Sequence, residues 1–86
     1  MKKQIKLEVY SAIWCSSCQQ LKKVLQDNEI PVDLLRVYDV DASPDLAKDK
    51  GVRGIPTLIL YEDDEEVKRA TGIVGKKLLL EFIKER

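Results

Sequence analysis

Two cysteines, Cys15 and Cys18, are separated only by Ser16 and Ser17 in a chain of 86 residues that contains no histidine. Sulfurs at this spacing support three kinds of chemistry. They can exchange electrons as a dithiol and a disulfide, supply half of a zinc or iron–sulfur site, or lie inert in a core. A closed zinc site takes four ligands, usually Cys or His, so metal binding here would need a dimer that shares its cysteines. Thiol exchange asks for less. One sulfur must be ionised and reachable, and the other must lie close enough to bond it.

The segments around the pair bear on which chemistry is served. Ile5-Lys6-Leu7-Glu8-Val9-Tyr10 alternates apolar with charged residues, the period-2 mark of a strand. Ser11 to Cys15 breaks that rhythm as a short loop. From Cys15 or Ser16 onward, Cys18, Leu21, Val24 and Leu25 recur at helical spacing, with Gln19, Gln20, Lys22, Lys23 and Gln26 on the other face. Asp27-Asn28 closes this helix and Pro31 blocks its continuation. The cysteines therefore fall at a strand–helix junction. There, unpaired backbone amides and the helix dipole favour a thiolate on the first sulfur. Cys15 is expected to be the exposed, acidic attacker and Cys18 the more buried resolver. A metal site shared across a dimer and an inert buried pair stand as the alternatives.

Beyond the junction, Val32 to Val40 reads as a second strand whose apolar residues do not alternate cleanly, the pattern of a strand covered on both faces. Ser43-Pro44-Asp45 predicts a helix start, with a hydroxyl N-cap, proline in the first turn and an acid at the positive dipole end. That helix should end near Lys50-Gly51. Thr57 to Tyr61 reads as a buried strand. Glu62-Asp63-Asp64-Glu65 is an acidic turn without the spacing of a calcium loop, and Glu66 to Thr71 returns as a partner strand. After a turn over Gly72 to Gly75, Leu78, Leu79, Phe82 and Ile83 mark the apolar face of a last helix. The order β-α-β-α-β-β-α predicts an α/β fold: one domain over 1–86, a four-stranded mixed sheet flanked by three helices. The first two strands should be parallel with a right-handed crossover, and the last two an antiparallel hairpin.

Charge and hydropathy narrow the functional classes. Fifteen basic and 15 acidic residues cancel, so no basic excess drives nucleic-acid binding by counterion release. Lys2-Lys3, Lys22-Lys23 and Lys76-Lys77 read as solvated faces. The N-terminus does not read as a signal peptide, and the apolar stretches near Ile55–Tyr61 and Leu78–Leu80 are far short of a bilayer span. A soluble, cytoplasmic monomer is expected, with neither membrane nor nucleic acid as partner. In a reducing compartment a purely structural disulfide is disfavoured.

Three features in order, Trp14-Cys15-Ser16-Ser17-Cys18, then Gly51-Val52-Arg53-Gly54-Ile55-Pro56-Thr57, then Gly72 before the last helix, cover nearly the whole chain, which resembles the thioredoxin superfamily. The resemblance implies a thioredoxin-like fold and a thiol–disulfide oxidoreductase that reduces protein disulfides through a redox-active Cys15–Cys18 disulfide, with no bound cofactor. It places a cis proline at Pro56, facing the disulfide, and lets the backbone of Ile55 pair with extended substrate. Gly72 would give substrate backbone close approach, and Trp14 would form an apolar rim. Partners implied are disulfide-containing proteins, with a thioredoxin-reductase-type flavoenzyme or glutathione as electron donor.

The chain also departs from its family. Thioredoxins carry a buried aspartate six residues before the first cysteine, where this chain has Val9, and a lysine partner at the position of Val37. Both losses remove the usual route for the proton of the buried cysteine. Ser16-Ser17 replaces Gly-Pro, so either hydroxyl could donate to the Cys15 thiolate while the loop loses a proline ring. The size is that of a minimal, glutaredoxin-like core, without the extra N-terminal strand and helix of full thioredoxins. Glutaredoxins, however, carry Cys-Pro-Tyr-Cys, Thr-Val-Pro and a Gly-Gly pair, where this chain has Cys-Ser-Ser-Cys, Gly-Ile-Pro and Thr71-Gly72-Ile73. Dithiol reduction of proteins is the favoured reading, and glutathione-dependent reduction the alternative.

Overall fold

A computed structural model describes residues 3–85 of the chain. Its elements run β1 (Ile5–Ser11), α1 (Ser16–Asp27), β2 (Leu34–Asp39), α2 (Pro44–Asp49), β3 (Thr57–Glu62), β4 (Glu65–Thr71) and α3 (Lys76–Lys84). This is the predicted order. The four strands form one mixed sheet in the order β2-β1-β3-β4. β1 runs parallel to β2, while β1–β3 and β3–β4 are antiparallel. A helix between β1 and β2 permits the parallel pairing, because a parallel return needs a long crossover.

Period-2 alternation in β1 divides the interior into two layers. Leu7 and Val9 pair in register with Leu60 and Leu58, and all four lie in a core closed by Leu21 and Leu25 of α1 and Leu79, Phe82 and Ile83 of α3. The opposite face carries Tyr10, Ile59 and Tyr61, which pack with Ala47 of α2. Tyr10 stacks on Tyr38 with ring centroids 5.2 Å apart. Arg69 anchors α2 from the far strand: it grips both Glu66 carboxylate oxygens and donates at 2.7 Å to the Lys50 carbonyl that ends the helix.

Several local expectations change. β2 is the sheet's edge, and Arg36 and Val37 are exposed; its unbroken apolar run does not mean cover on both faces, since strand order is set by long-range pairing. The Ser43 hydroxyl makes no cap bond. Instead the Ser43 carbonyl accepts from Ala47 at 3.3 Å and Pro44 supplies the first turn. Leu78 is 56% exposed and outside the core. Leu79, Phe82 and Ile83 centre the buried stripe, and Leu78 sits about a quarter turn from that centre. The acidic turn is a tight hairpin in which Asp63 and Asp64 have φ of 50° and 70°, the left-handed pair that a two-residue loop demands and that aspartate tolerates.

One buried carboxylate had no signal in the strand pattern. Glu8 is only 5% exposed. Its Oε1 accepts from the Tyr61 hydroxyl at 2.9 Å and the Tyr10 hydroxyl at 3.1 Å, and Lys6 Nζ lies 3.8 Å from Oε2. Burial first, then the neighbouring Glu8, raises both tyrosine hydroxyls far above their ordinary pKa.

Candidate active site

The loop between β1 and α1 folds into a turn in which the Cys15 amide donates to the Ala12 carbonyl at 3.2 Å. That turn delivers Cys15 to the N-cap of α1 with extended backbone. Its Sγ takes the place usually filled by a serine or aspartate oxygen, accepting the Cys18 amide at 3.2 Å. The Cys15 carbonyl then receives the first intrahelical bond, from Gln19 at 3.1 Å. Gln19 returns over the turn, its Nε2 donating to the Ile13 carbonyl at 3.0 Å. Both cysteines are free thiols.

The two sulfurs have opposite electrostatics. A hydrogen bond from the Cys18 thiol is the main cause that lowers the Cys15 pKa below its ordinary value; the Cys18 amide and Ser17 add to it. Ser17 Oγ stands 3.9 Å from Cys15 Sγ, and no contact of Ser16 with the sulfur accompanies it. Burial pushes Cys18 up to about 11, reinforced by its bond to Cys15. The expected asymmetry therefore holds. The expected exposure of Cys15 does not: it is 8% exposed, against none for Cys18. Its sulfur is turned back over the helix start, and the two cysteines cluster with Ala12 against Val40 and Ile55.

This geometry carries a pH signature. With Cys15 lowered from an ordinary 9.0 and Cys18 raised to about 11, iodoacetamide should label one thiol with a midpoint below that of free cysteine. The rate should rise with pH through the Cys15 pKa and then level off until Cys18 ionises. Pseudo-first-order alkylation followed by peptide mapping checks this; equal labelling of both cysteines, or a midpoint at the free-thiol value, would contradict the arrangement.

Of the remaining predicted site residues, Ile55 packs against the cysteine pair. The Ile55–Pro56 bond is cis and Pro56 is fully buried. Thr57 Oγ1 holds the Gly54 carbonyl and stands 3.2 Å from Thr71 Oγ1, so the Gly54-Ile55-Pro56 bend is tied to β4. Among the described residues the Ile55 N–H and C=O make no hydrogen bond. Gly72 donates to the Pro56 carbonyl at 2.9 Å with φ of 88°, and the space where a Cβ would stand is empty. Trp14 is 72% exposed and its indole N–H donates to Asp41 at 2.8 Å.

Other site residues escaped the sequence. Beside Trp14 opens a cleft of about 190 Å³ lined by Val40, Ala47, Val52, Arg53, Gly54 and Ile55. Ile13, which precedes Trp14 in the loop, is a second large apolar side chain left 75% exposed. Asp41 holds the indole and Gln19 clamps the turn. No spacing rule links Asp41 to Trp14, because their contact exists only when β2 lies beside β1. Among the described residues no three His, Cys, Asp or Glu side chains gather as a metal site, and no helix is long and apolar enough to cross a membrane.

Val9 and Val37 are register partners on adjacent strands, Val9 fully buried and Val37 exposed. No carboxylate takes the place that the resemblance assigns to the buried aspartate.

Comparison with known proteins agrees with this architecture. The Thioredoxin family model matches residues 1–85. The thioredoxin of Chlamydia muridarum is 41% identical over 76 residues, spanning 86% of this chain and 74% of that one. A thioredoxin of Mycobacterium tuberculosis is 42% identical over 72 residues, spanning 80% of this chain and 62% of its own length. In Mycobacterium leprae a bifunctional thioredoxin reductase/thioredoxin is 37% identical over 75 residues, which is 80% of this chain and 16% of that protein. Among solved structures, a mutant thioredoxin from Halobacterium salinarum superposes with a TM-score of 0.83 at 32% identity, covering 95% of this chain and 74% of that one. The fold, the dithiol at the helix start and these relatives converge: the chain belongs to the thioredoxin family and is a thiol–disulfide oxidoreductase.

Proposed function

We propose that this chain reduces disulfides in client proteins, with Cys15 as the attacking thiolate and Cys18 as the resolving thiol. The observation that carries this reading is the Cys15 sulfur held as N-cap of α1, accepting the Cys18 amide at 3.2 Å. In the first displacement Cys15 attacks one sulfur of the client disulfide, forming a mixed disulfide and expelling the other client thiolate. In the second, Cys18 loses its proton, attacks the Cys15 sulfur and expels the second client thiolate, which takes up a proton. Two client thiols and a Cys15–Cys18 disulfide result, so two electrons have moved. No bound cofactor enters either step.

Client backbone would lie along Ile55, whose N–H and C=O are free, and over the open side of Gly72. Its side chains would meet Trp14 and the adjoining cleft, while Pro56 shapes the bend. Ser17 tunes the attacking sulfur; Ser16 completes the first turn. The joined reductase and thioredoxin of the M. leprae relative favours a thioredoxin-reductase-type flavoenzyme over glutathione as the electron donor. A reducing cytoplasm is the setting that keeps the dithiol charged, and the chain acts there as a monomer.

Cys18→Ser tests the roles. With the resolving sulfur removed, the first displacement should proceed and the second stop. The variant should then accumulate a covalent adduct through Cys15 with insulin chains, visible on non-reducing gels and dispersed by dithiothreitol. Adducts at residue 15 support the assignment. Insulin reduction by the variant at the wild-type rate, with no adduct, would sink it.

A further inference from the structure

The second displacement needs negative charge on a sulfur that has no solvent exposure. Ala12, Val40 and Ile55 pack around the cysteine pair, and none of them titrates. Below lies the layer of Leu7 and Val9 from β1, Leu58 and Leu60 from β3, and Leu79, Phe82 and Ile83 from α3. Leu35 and Val37 are the residues β2 places across from Leu7 and Val9. No element packed against this side of α1 offers Cys18 a charge.

One residue of α1 itself does. Lys22 follows Cys18 by four positions, so the two side chains lie on the same face one turn apart. Helical side chains lean toward the N-terminus, which directs the Lys22 stem back toward Cys18. Its surroundings differ from those of its neighbour. Lys23 is exposed and pairs with Asp27 at 3.5 Å. Lys22 is half-buried and, among the described residues, has neither an ion-pair nor a hydrogen-bond partner. Burying part of a lysine beside an apolar layer without a counter-ion is unfavourable on its own.

We propose that Lys22 is the positioning residue of the second displacement, its ammonium stabilising the charge that develops on the Cys18 sulfur. This rests on Cys18 being the resolving thiol. Lys22 takes no part in the proton transfer. The Cys18 proton leaves through water and ends on the released client thiol, the Cys15–Cys18 bond forms, and the bond from Cys15 to the client breaks with its electron pair on the client sulfur. In the resting dithiol burial and the bond to Cys15 raise the Cys18 pKa; the Ala12 backbone opposes them most, and the Lys22 charge adds a smaller pull in the same direction. Lys22 thus acts through its charge alone, in a chain that has Val9 and Val37 at the positions the resemblance assigns to an aspartate and a lysine.

Reaction of the reduced protein with 5,5′-dithiobis(2-nitrobenzoate) separates the two steps. Attack by Cys15 releases one coloured thiolate, and resolution by Cys18 releases the second. In Lys22→Met, which keeps the stem and a good helix former but removes the charge, the first phase should be unchanged. The second should slow about threefold, a tenfold smaller thiolate population for about one unit of pKa partly offset by the greater nucleophilicity of a more basic sulfur, and its pH midpoint should move upward. Lys22→Arg should restore both. An unchanged second phase in Lys22→Met overturns the proposal, and so does equal slowing in Lys22→Met and Lys22→Arg, which would mean packing. Thermal melts of both variants show whether they fold. Failure of the underlying assignment looks different: wild type would release one equivalent only, or Cys15→Ser, left with a single thiol, would release its one equivalent as fast as the wild-type first phase.

Discussion

Cys15→Ser will leave insulin reduction at the rate of dithiothreitol alone while the protein stays folded. Serine supplies a hydroxyl that does not ionise at neutral pH, so no attacking anion remains. Removing a covalent nucleophile elsewhere costs up to about 10⁶-fold, which places the expected rate below the assay floor. The fold should survive for a specific reason. Cys15 acts as N-cap, its sulfur accepting the Cys18 amide, and serine is among the preferred N-caps. The melting temperature of the variant should therefore equal or exceed that of wild-type dithiol protein, separating lost chemistry from lost structure. Measurable catalysed reduction by a well-folded Cys15→Ser protein would place the reactive sulfur elsewhere.

The second large effect concerns stability. Glu8→Ala should destabilise the domain by roughly 3 kcal/mol, because two buried tyrosine hydroxyls lose their acceptor at about 1–3 kcal/mol each. Tyr10 is fully buried and Tyr61 nearly so, so neither hydroxyl can turn to bulk solvent without moving the ring. An 86-residue domain holds roughly 4–13 kcal/mol in all, and at about 4–8 °C per kcal/mol the melting temperature should fall by more than 10 °C. Glu8→Gln keeps an oxygen facing both hydroxyls and should lose less than half as much. Urea unfolding of the three proteins measures the series. A change under about 0.5 kcal/mol in Glu8→Ala, the size of an ordinary surface substitution, would mean that the tyrosines do not depend on this carboxylate. The tyrosines belong to the cluster on the α2 face of the sheet, separate from that of the cysteines, so first-displacement rates should be unaffected.

The amino-acid sequence alone determined the features whose causes are local. Cys15-Ser16-Ser17-Cys18 at the end of an alternating strand places a sulfur at a helix start, and amides at such a start favour a thiolate in any fold. Hydrophobic period marked the first strand and the first and last helices, cap residues marked the helix at Ser43-Pro44-Asp45, and the acidic run Glu62 to Glu65 marked the turn between the last two strands. The tertiary structure decided what depends on residues far apart in the chain. Glu8 and Tyr61 meet because β1 and β3 pair with Lys6 opposite Tyr61; in β1 taken by itself, Glu8 is indistinguishable from a solvated charge. Asp41 reaches Trp14, and Val40, Ala47 and Val52 line one cleft, only once β2 and α2 are folded beside the loop. The same holds for Val37 at a sheet edge, Leu78 outside the core and Lys22 half-buried without a counter-ion. Periodicity tells which side of an element is apolar, but burial depends on what lies opposite, and only strand pairing and helix packing supply that.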